Sequence, residues 1–126
     1  MTPEQLVTEF LRALEVRDLR RAESLLASSA TLSFPGAHAQ FSTLAAMADW
    51  AGGRYQSVRK TIAAFDRMES ASAVVLYCRG TLAGEWLDGT SFSDIRFIDR
   101  FEIADGRILR QDVWNDLAEF RPQTRS

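Results

Sequence analysis

Two Asp-Gly dipeptides, Asp88-Gly89 and Asp105-Gly106, divide the second half of the chain into long segments rich in β-branched and aromatic residues. Aspartate followed by glycine tolerates the positive φ values of a tight hairpin loop, so each dipeptide predicts a reversal between antiparallel strands. A meander of that length has to bury one face, and the first half of the chain supplies helices to cover it.

Thr2-Pro3-Glu4-Gln5 carries a capping residue, a proline at the first helical position and a glutamine able to reach back. Leu6, Phe10, Leu11 and Leu14 follow at three- and four-residue spacing, which predicts an amphipathic helix. Asp18 can cap a second helix with Leu19, Ala22, Leu25 and Leu26 as its buried stripe. Ala30-Phe34 reads as a short strand stopped by Pro35-Gly36. Ser42 can cap a third helix running from Thr43 to about Ala51, with Gly52-Gly53 ending it. From there to about Asn115 the pattern is that of strands.

Two-residue loops at both dipeptides fix a register. The first pairs Leu82 with Ile95, Gly80 with Phe97, Cys78 with Asp99, Leu76 with Phe101 and Val74 with Ile103. The second pairs Ile103 with Ile108, Phe101 with Arg110, Asp99 with Asp112 and Phe97 with Trp114. Because side chains alternate, both pairings put the same residues of the middle strand on one mostly apolar face. Tyr77, Arg79, Arg96, Arg100 and Gln111 then fall on the other. The strand around residues 59–68 has no single register on this reasoning, since the Ser70-Ala71-Ser72 turn admits more than one.

In that apolar row Asp99 and Asp112 are expected to oppose each other with β-carbons ~5 Å apart. Two carboxylates so placed cannot both stay ionised at low cost, so one has a raised pKa or a cationic partner. A carboxylate poised near neutrality suits proton abstraction beside a carbonyl, with the second, protonated, donating to the enolate oxygen. The other reading is that Arg110, diagonal to Asp99, merely satisfies the acids. Gly80 opposite Phe97 leaves either space for a ligand or a bulge. His38, in the loop after Pro35-Gly36, is a candidate to overhang such a hollow or a plain surface residue. Trp50 and Trp114 offer stacking surfaces or core packing, and Cys78 reads as a small buried hydrophobe beside the site.

Fifteen basic against seventeen acidic residues, with no basic block, argue against a nucleic-acid partner. Lys60 is the only lysine. One cysteine and one histidine exclude an internal disulfide and a closed zinc site, and no cofactor or metal is expected. The acidic, polar first residues and the lack of an ~18-residue apolar run point to a cytoplasmic protein without a membrane partner. At 126 residues the chain has room for one domain, taken as residues 1–126.

The order of two helices, a strand, a third helix and a long meander resembles the nuclear transport factor 2-like fold. That resemblance implies an α+β, cystatin-like cone in which three N-terminal helices pack on a curved, mainly antiparallel sheet. Within it the chain looks most like the SnoaL-like group of polyketide cyclases. Gly80-Thr81-Leu82-Ala83-Gly84-Glu85-Trp86 is similar to that group's glycine-threonine-histidine-x-glycine-glutamate-aromatic stretch, with Leu82 in place of the histidine. Asp99-Arg100-Phe101-Glu102-Ile103-Ala104-Asp105-Gly106-Arg107-Ile108 is similar to its strand-turn-strand segment. The resemblance implies that Asp99 is the acid/base for an aldol closure. Ketosteroid isomerases fit less well, having their base where this chain has Phe34, and limonene epoxide hydrolases have an aspartate where it has Val113. The expected function is a pocket for a compact, largely apolar carbonyl compound, with cofactor-independent acid/base chemistry. Asp99 and Asp112 are its catalytic candidates, and His38, Trp50, Cys78, Gly80, Phe97, Arg110 and Trp114 its ligand contacts. The alternative is a non-catalytic module, and a homodimer through the outer sheet face is expected.

Overall fold

The structure, a computed structural model, describes residues 1–122. Helix α1 (Pro3–Glu15) begins with the expected capping box: Thr2 accepts from the Gln5 N–H while the Gln5 side chain accepts from the Thr2 N–H. Its apolar stripe buries Leu6, Val7, Phe10 and Leu11, and Phe10 meets Phe101 of the sheet edge-on at 6.2 Å. Full burial of side chains of this size contributes about 1.5–3 kcal/mol each.

Asp18 caps α2 (Leu19–Ser24), which ends before its expected stripe is complete, so Leu25 is buried at the C-cap and Leu26 opens a strand. That strand, β1 (Leu26–Phe34), is longer than the sequence suggests because it runs parallel to the last strand of the sheet. A single 3₁₀ turn, Pro35–Ala37, leads to β2 (Ala39–Phe41), a short edge strand with no sequence signal of its own. Thr43, rather than Ser42, caps α3 (Leu44–Gly52), accepting from the Ala46 N–H.

Strands β3 (Ser57–Glu69), β4 (Val74–Glu85), β5 (Ser91–Ala104) and β6 (Arg107–Asn115) form the meander, and a short α4 (Leu117–Phe120) follows. The sheet order is β2-β1-β6-β5-β4-β3, antiparallel except for the β1–β6 pair. Its register is interrupted in four places: between Leu26 and Thr31 of β1, at Ala63 in β3, at Ser93-Asp94 of β5 against Ala83, and at Leu109 in β6. An extra residue on one strand increases local twist and curvature. The inner face curls around α1 and α3, the architecture expected from the resemblance.

The β4–β5 register from Val74 to Leu82 is the expected one, Cys78 facing Asp99 and Gly80 facing Phe97. The β5–β6 register is not. The two-residue loop does form, pairing Ala104 with Arg107 and Ile103 with Ile108, but the Leu109 bulge then shifts every later pair by one. Asp99 therefore faces Val113, and Asp112 faces Arg100. A one-residue slip moves side chains to the opposite face, so Asp112, Arg110 and Trp114 lie outside and Gln111 and Val113 inside.

Candidate functional site

β5 carries Asp99 into the core with no exposed surface. Asp112, its expected partner, instead lies on the outer face, where Arg110 Nε donates to it at 2.9 Å and Arg100 Nη1 stands 3.6 Å away. The cation beside Asp99 comes from β3. Val58, Lys60 and Ile62 alternate inward there, and Lys60 Nζ donates to Asp99 Oδ2 at 2.5 Å. Gln111 Nε2 donates to the same oxygen at 3.4 Å, while Asp99 Oδ1 is buried without a hydrogen-bond partner.

Burial pushes the Asp99 carboxyl above its ordinary value, against Lys60 and Gln111, which pull it down. Desolvation wins because the carboxylate has one satisfied oxygen where water would satisfy both. The same burial, helped by the Asp99 charge, pushes the neighbouring Cys78 thiol up to about 12. Cys78 is thus a neutral core residue and no nucleophile.

Above the pair lies a cavity of about 270 Å³ between α1, α3 and the sheet. Leu11, Leu14, Met47, Val58, Leu82 and Val113 form much of its wall, and Lys60, Gln111, Tyr55 and Asn115 are among its polar groups. Asp99 does not line it, so the carboxylate meets a ligand through Lys60 and Gln111, which do. Lys60 is held from both ends. Its backbone N–H donates to Glu15 Oε1 of α1 at 2.7 Å, and its ammonium stands 4.9 Å from the Phe97 ring centroid. Burial pushes the Tyr55 hydroxyl upward, which keeps it a donor at neutral pH.

Four of the remaining sequence candidates line one recess, and the others lie apart from it. The side-chain place of Gly80 is taken by bulged β3, since a β-carbon there would lie 1.9 Å from the Thr61 carbonyl oxygen. His38 is exposed in a left-handed conformation that closes the 3₁₀ turn. Trp50 packs on Phe34 and Phe41 under the Arg54 guanidinium. Together with Gly80, Phe97 and Trp114 it lines a wider recess of about 780 Å³, which runs onto the outer-face residues Arg79, Arg96 and Ile98. Lys60 and Gln111 were not among the candidates. The signal for Lys60 was a lone lysine within an apolar alternation, Val58 to Ile62. Among the described residues no group of three or more histidine, cysteine, aspartate or glutamate side chains is placed to hold a metal ion. Among them, too, no helix is long and apolar enough to cross a membrane.

A bent sheet wrapped on N-terminal helices over a hollow defines the nuclear transport factor 2-like class. Residues 7–111 match the SnoaL-like domain family, and the chain belongs to that family. No curated protein matches it in sequence. Among solved structures it is similar to a nuclear transport factor 2-like protein of unknown function from Burkholderia pseudomallei, at 21% identity and a TM-score of 0.74 over 93% of this chain and 92% of that one. It is also similar to TerC crystallised with polyporic acid, at 17% identity and a TM-score of 0.72 over 92% of each chain. A candidate polyketide cyclase from Pseudomonas putida follows, at 20% identity and a TM-score of 0.68 over 99% of each. At these identities the likeness is one of fold.

Proposed function

We propose that this chain binds a compact, largely apolar carbonyl compound in the 270 Å³ cavity and moves a proton on it without a cofactor, through the Lys60–Asp99 couple. The observation that carries this reading is a single ammonium beside a mostly apolar cavity, backed by a carboxylate that has no other cation among the described residues. In such surroundings a preorganised donor acts strongly on an oxygen that develops charge. Lys60 Nζ exchanges a proton with the ligand, and Asp99 compensates by taking or returning one. Asp99 is here a positioning and proton-holding residue, since it lies behind Lys60. Gln111 and Tyr55 are the further donors in reach of the same space. A cavity of this size, just under the usual range for ligand pockets, selects small molecules.

The test uses 2-tetralone, a compact apolar ketone. Binding at a hundredfold excess over Kd adds roughly 2.7 kcal/mol to stability and raises Tm. Wild-type protein should also speed the exchange of deuterium into the carbon beside the carbonyl, and Lys60→Met should lose that exchange. Equal exchange in both proteins would remove the proposed chemistry.

A second reading rests on the outer face, where Ile98 and Trp114 are cross-strand neighbours and 45% and 42% exposed. Apolar side chains left in the open on a sheet surface are what a partner surface covers. On this reading a second copy docks there, with Arg79 and Arg96 at the rim. Sedimentation of Trp114→Arg against wild type at several concentrations tests it, an unchanged association state sinking the idea.

A further inference from the structure

We propose that Lys60 bonds covalently to its ligand: Nζ condenses with the carbonyl carbon of an aldehyde or ketone in the cavity to give an imine, Asp99 accepting the first ammonium proton. This rests on the carbonyl-binding reading above and adds a bond to it.

Three features of the geometry carry the inference. Lys60 lines the cavity, and its ammonium is bonded to Asp99 Oδ2 at 2.5 Å. The couple is dry: the Lys60 side chain is 13% exposed and the Asp99 side chain 0%. In a site poorly supplied with water, an ammonium–carboxylate pair gains by passing one proton across and becoming an amine and a carboxylic acid. The third is the unpartnered Asp99 Oδ1, which deprives the carboxylate of the bonds that would hold it ionised. The charged and titratable groups facing the couple are few. They are Glu15 of α1, whose Oε1 is engaged by the Lys60 N–H, Arg17 beyond it, Tyr55, and Cys78 of β4.

The step balances. Asp99 Oδ2 takes one proton from Nζ, and the freed nitrogen pair forms the N–C bond while the carbonyl π pair moves onto oxygen. The oxygen leaves as water with two of the three ammonium protons, one of them the proton that Asp99 had held. The nitrogen keeps the third, and the product is a protonated imine beside an Asp99 carboxylate. No oxidant or reductant takes part.

Lys60 is the only lysine, so the test is unambiguous once the α-amino group is resolved by peptide mapping. The protein is incubated with 2-naphthaldehyde and sodium cyanoborohydride at pH 7, with Nα-acetyllysine in the same tube as reference. The cavity holds the aldehyde against Nζ, and such proximity turns a bimolecular step into a nearly unimolecular one, so the Lys60 peptide should gain the reduced adduct at least ~10-fold faster than the reference. Lys60→Arg should gain none there, and Asp99→Asn, which has no carboxylate to take the first proton, should react at least ~10-fold more slowly than wild type. Should Asp99→Asn fail to fold, competition in the wild-type protein decides: methyl 2-naphthoate, filling the same cavity, should slow the labelling of Lys60 and leave that of the reference unchanged. A Lys60 peptide that reacts no faster than the reference, or labelling that the ester does not slow, overturns the proposal. Methyl 2-naphthoate has the carbonyl oxygen but forms no imine. A melting shift with this ester but no labelling of Lys60 overturns the imine and leaves the binding reading standing. No shift with the ester overturns the binding reading itself.

Discussion

Lys60 and Asp99 touch at 2.5 Å although they stand on strands that are not neighbours, β4 running between β3 and β5. The contact exists because the bulged sheet is concave, so inward side chains from separated strands converge. Breaking one half of such a couple costs far more than the couple contributes net. Lys60→Met should destabilise by about 3–5 kcal/mol at pH 7, and Lys60→Met with Asp99→Leu should regain most of that loss. Urea unfolding of the two single variants and the double variant measures the coupling. A single-variant cost below about 1 kcal/mol would describe a surface pair instead.

The pH dependence has a definite sign. The folded-state pKa of Asp99 is raised by burial, so between the ordinary carboxylate value and that raised value the folded state holds a proton that the unfolded state has lost. The contribution of Asp99 is therefore fully present below about pH 4 and is lost as pH rises through the raised value. Subtracting the stability of Asp99→Asn from that of wild type across about pH 3.5–8 should give a curve that falls with pH. In Lys60→Met the fall should run on to higher pH, since the cation that opposes the shift is gone. A flat or rising difference would contradict the burial of Asp99.

Much of the architecture was legible because its signals are local. The capping box at Thr2, the Asp18 cap and the Asp105-Gly106 loop all appear where the residues say, with Asp105 and Gly106 at φ 53° and 71°. The β4–β5 register was right through two deviations that cancel. The loop at Asp88-Gly89 has three residues rather than two, Trp86 N–H bonding the Thr90 carbonyl, and the Ser93-Asp94 bulge puts the missing residue back. Asp94 adopts φ 57°, which an aspartate tolerates and no nearby residue announces. In β6 nothing cancels the bulge at Leu109, and the two aspartates part. The site proper was less legible, since a contact across an intervening strand depends on sheet curvature and no turn fixes that.

The shifted register can be read in solution by substituting neighbours. Gln111 lines the cavity and Asp112 is held by Arg110 and Arg100 on the far side. Gln111→Leu should weaken binding of a carbonyl probe such as methyl 2-naphthoate by about tenfold, the loss of roughly one hydrogen bond. Asp112→Asn should leave probe affinity unchanged while costing about 1–3 kcal/mol of stability, since a buried carboxylate gives up its charge-assisted bonds to Arg110 and Arg100. Melting shifts across a probe titration separate affinity from stability. The opposite pattern, with Asp112→Asn weakening the probe and Gln111→Leu neutral, would restore the unshifted register and sink the site described here.

Gly80 supplies the last test, because its role turns on backbone rather than on a ligand. The Ala63 bulge pushes β3 inward until the Thr61 carbonyl oxygen occupies the place of a Gly80 β-carbon, 1.9 Å from where it would stand. The nearby atoms are backbone, which cannot rotate away, so Gly80→Ala should cost about 3 kcal/mol or more. Gly84 is under the same constraint, a β-carbon there lying 2.0 Å from the Ser57 carbonyl oxygen. Gly36 has open space at its β-carbon, and Gly36→Ala should fall within about 0.5 kcal/mol of wild type. Denaturant midpoints of the three variants decide the matter. A Gly80→Ala protein as stable as Gly36→Ala would mean that β3 does not approach β4 in this way. The bulge that helps to bring Lys60 over Asp99 would then go with it.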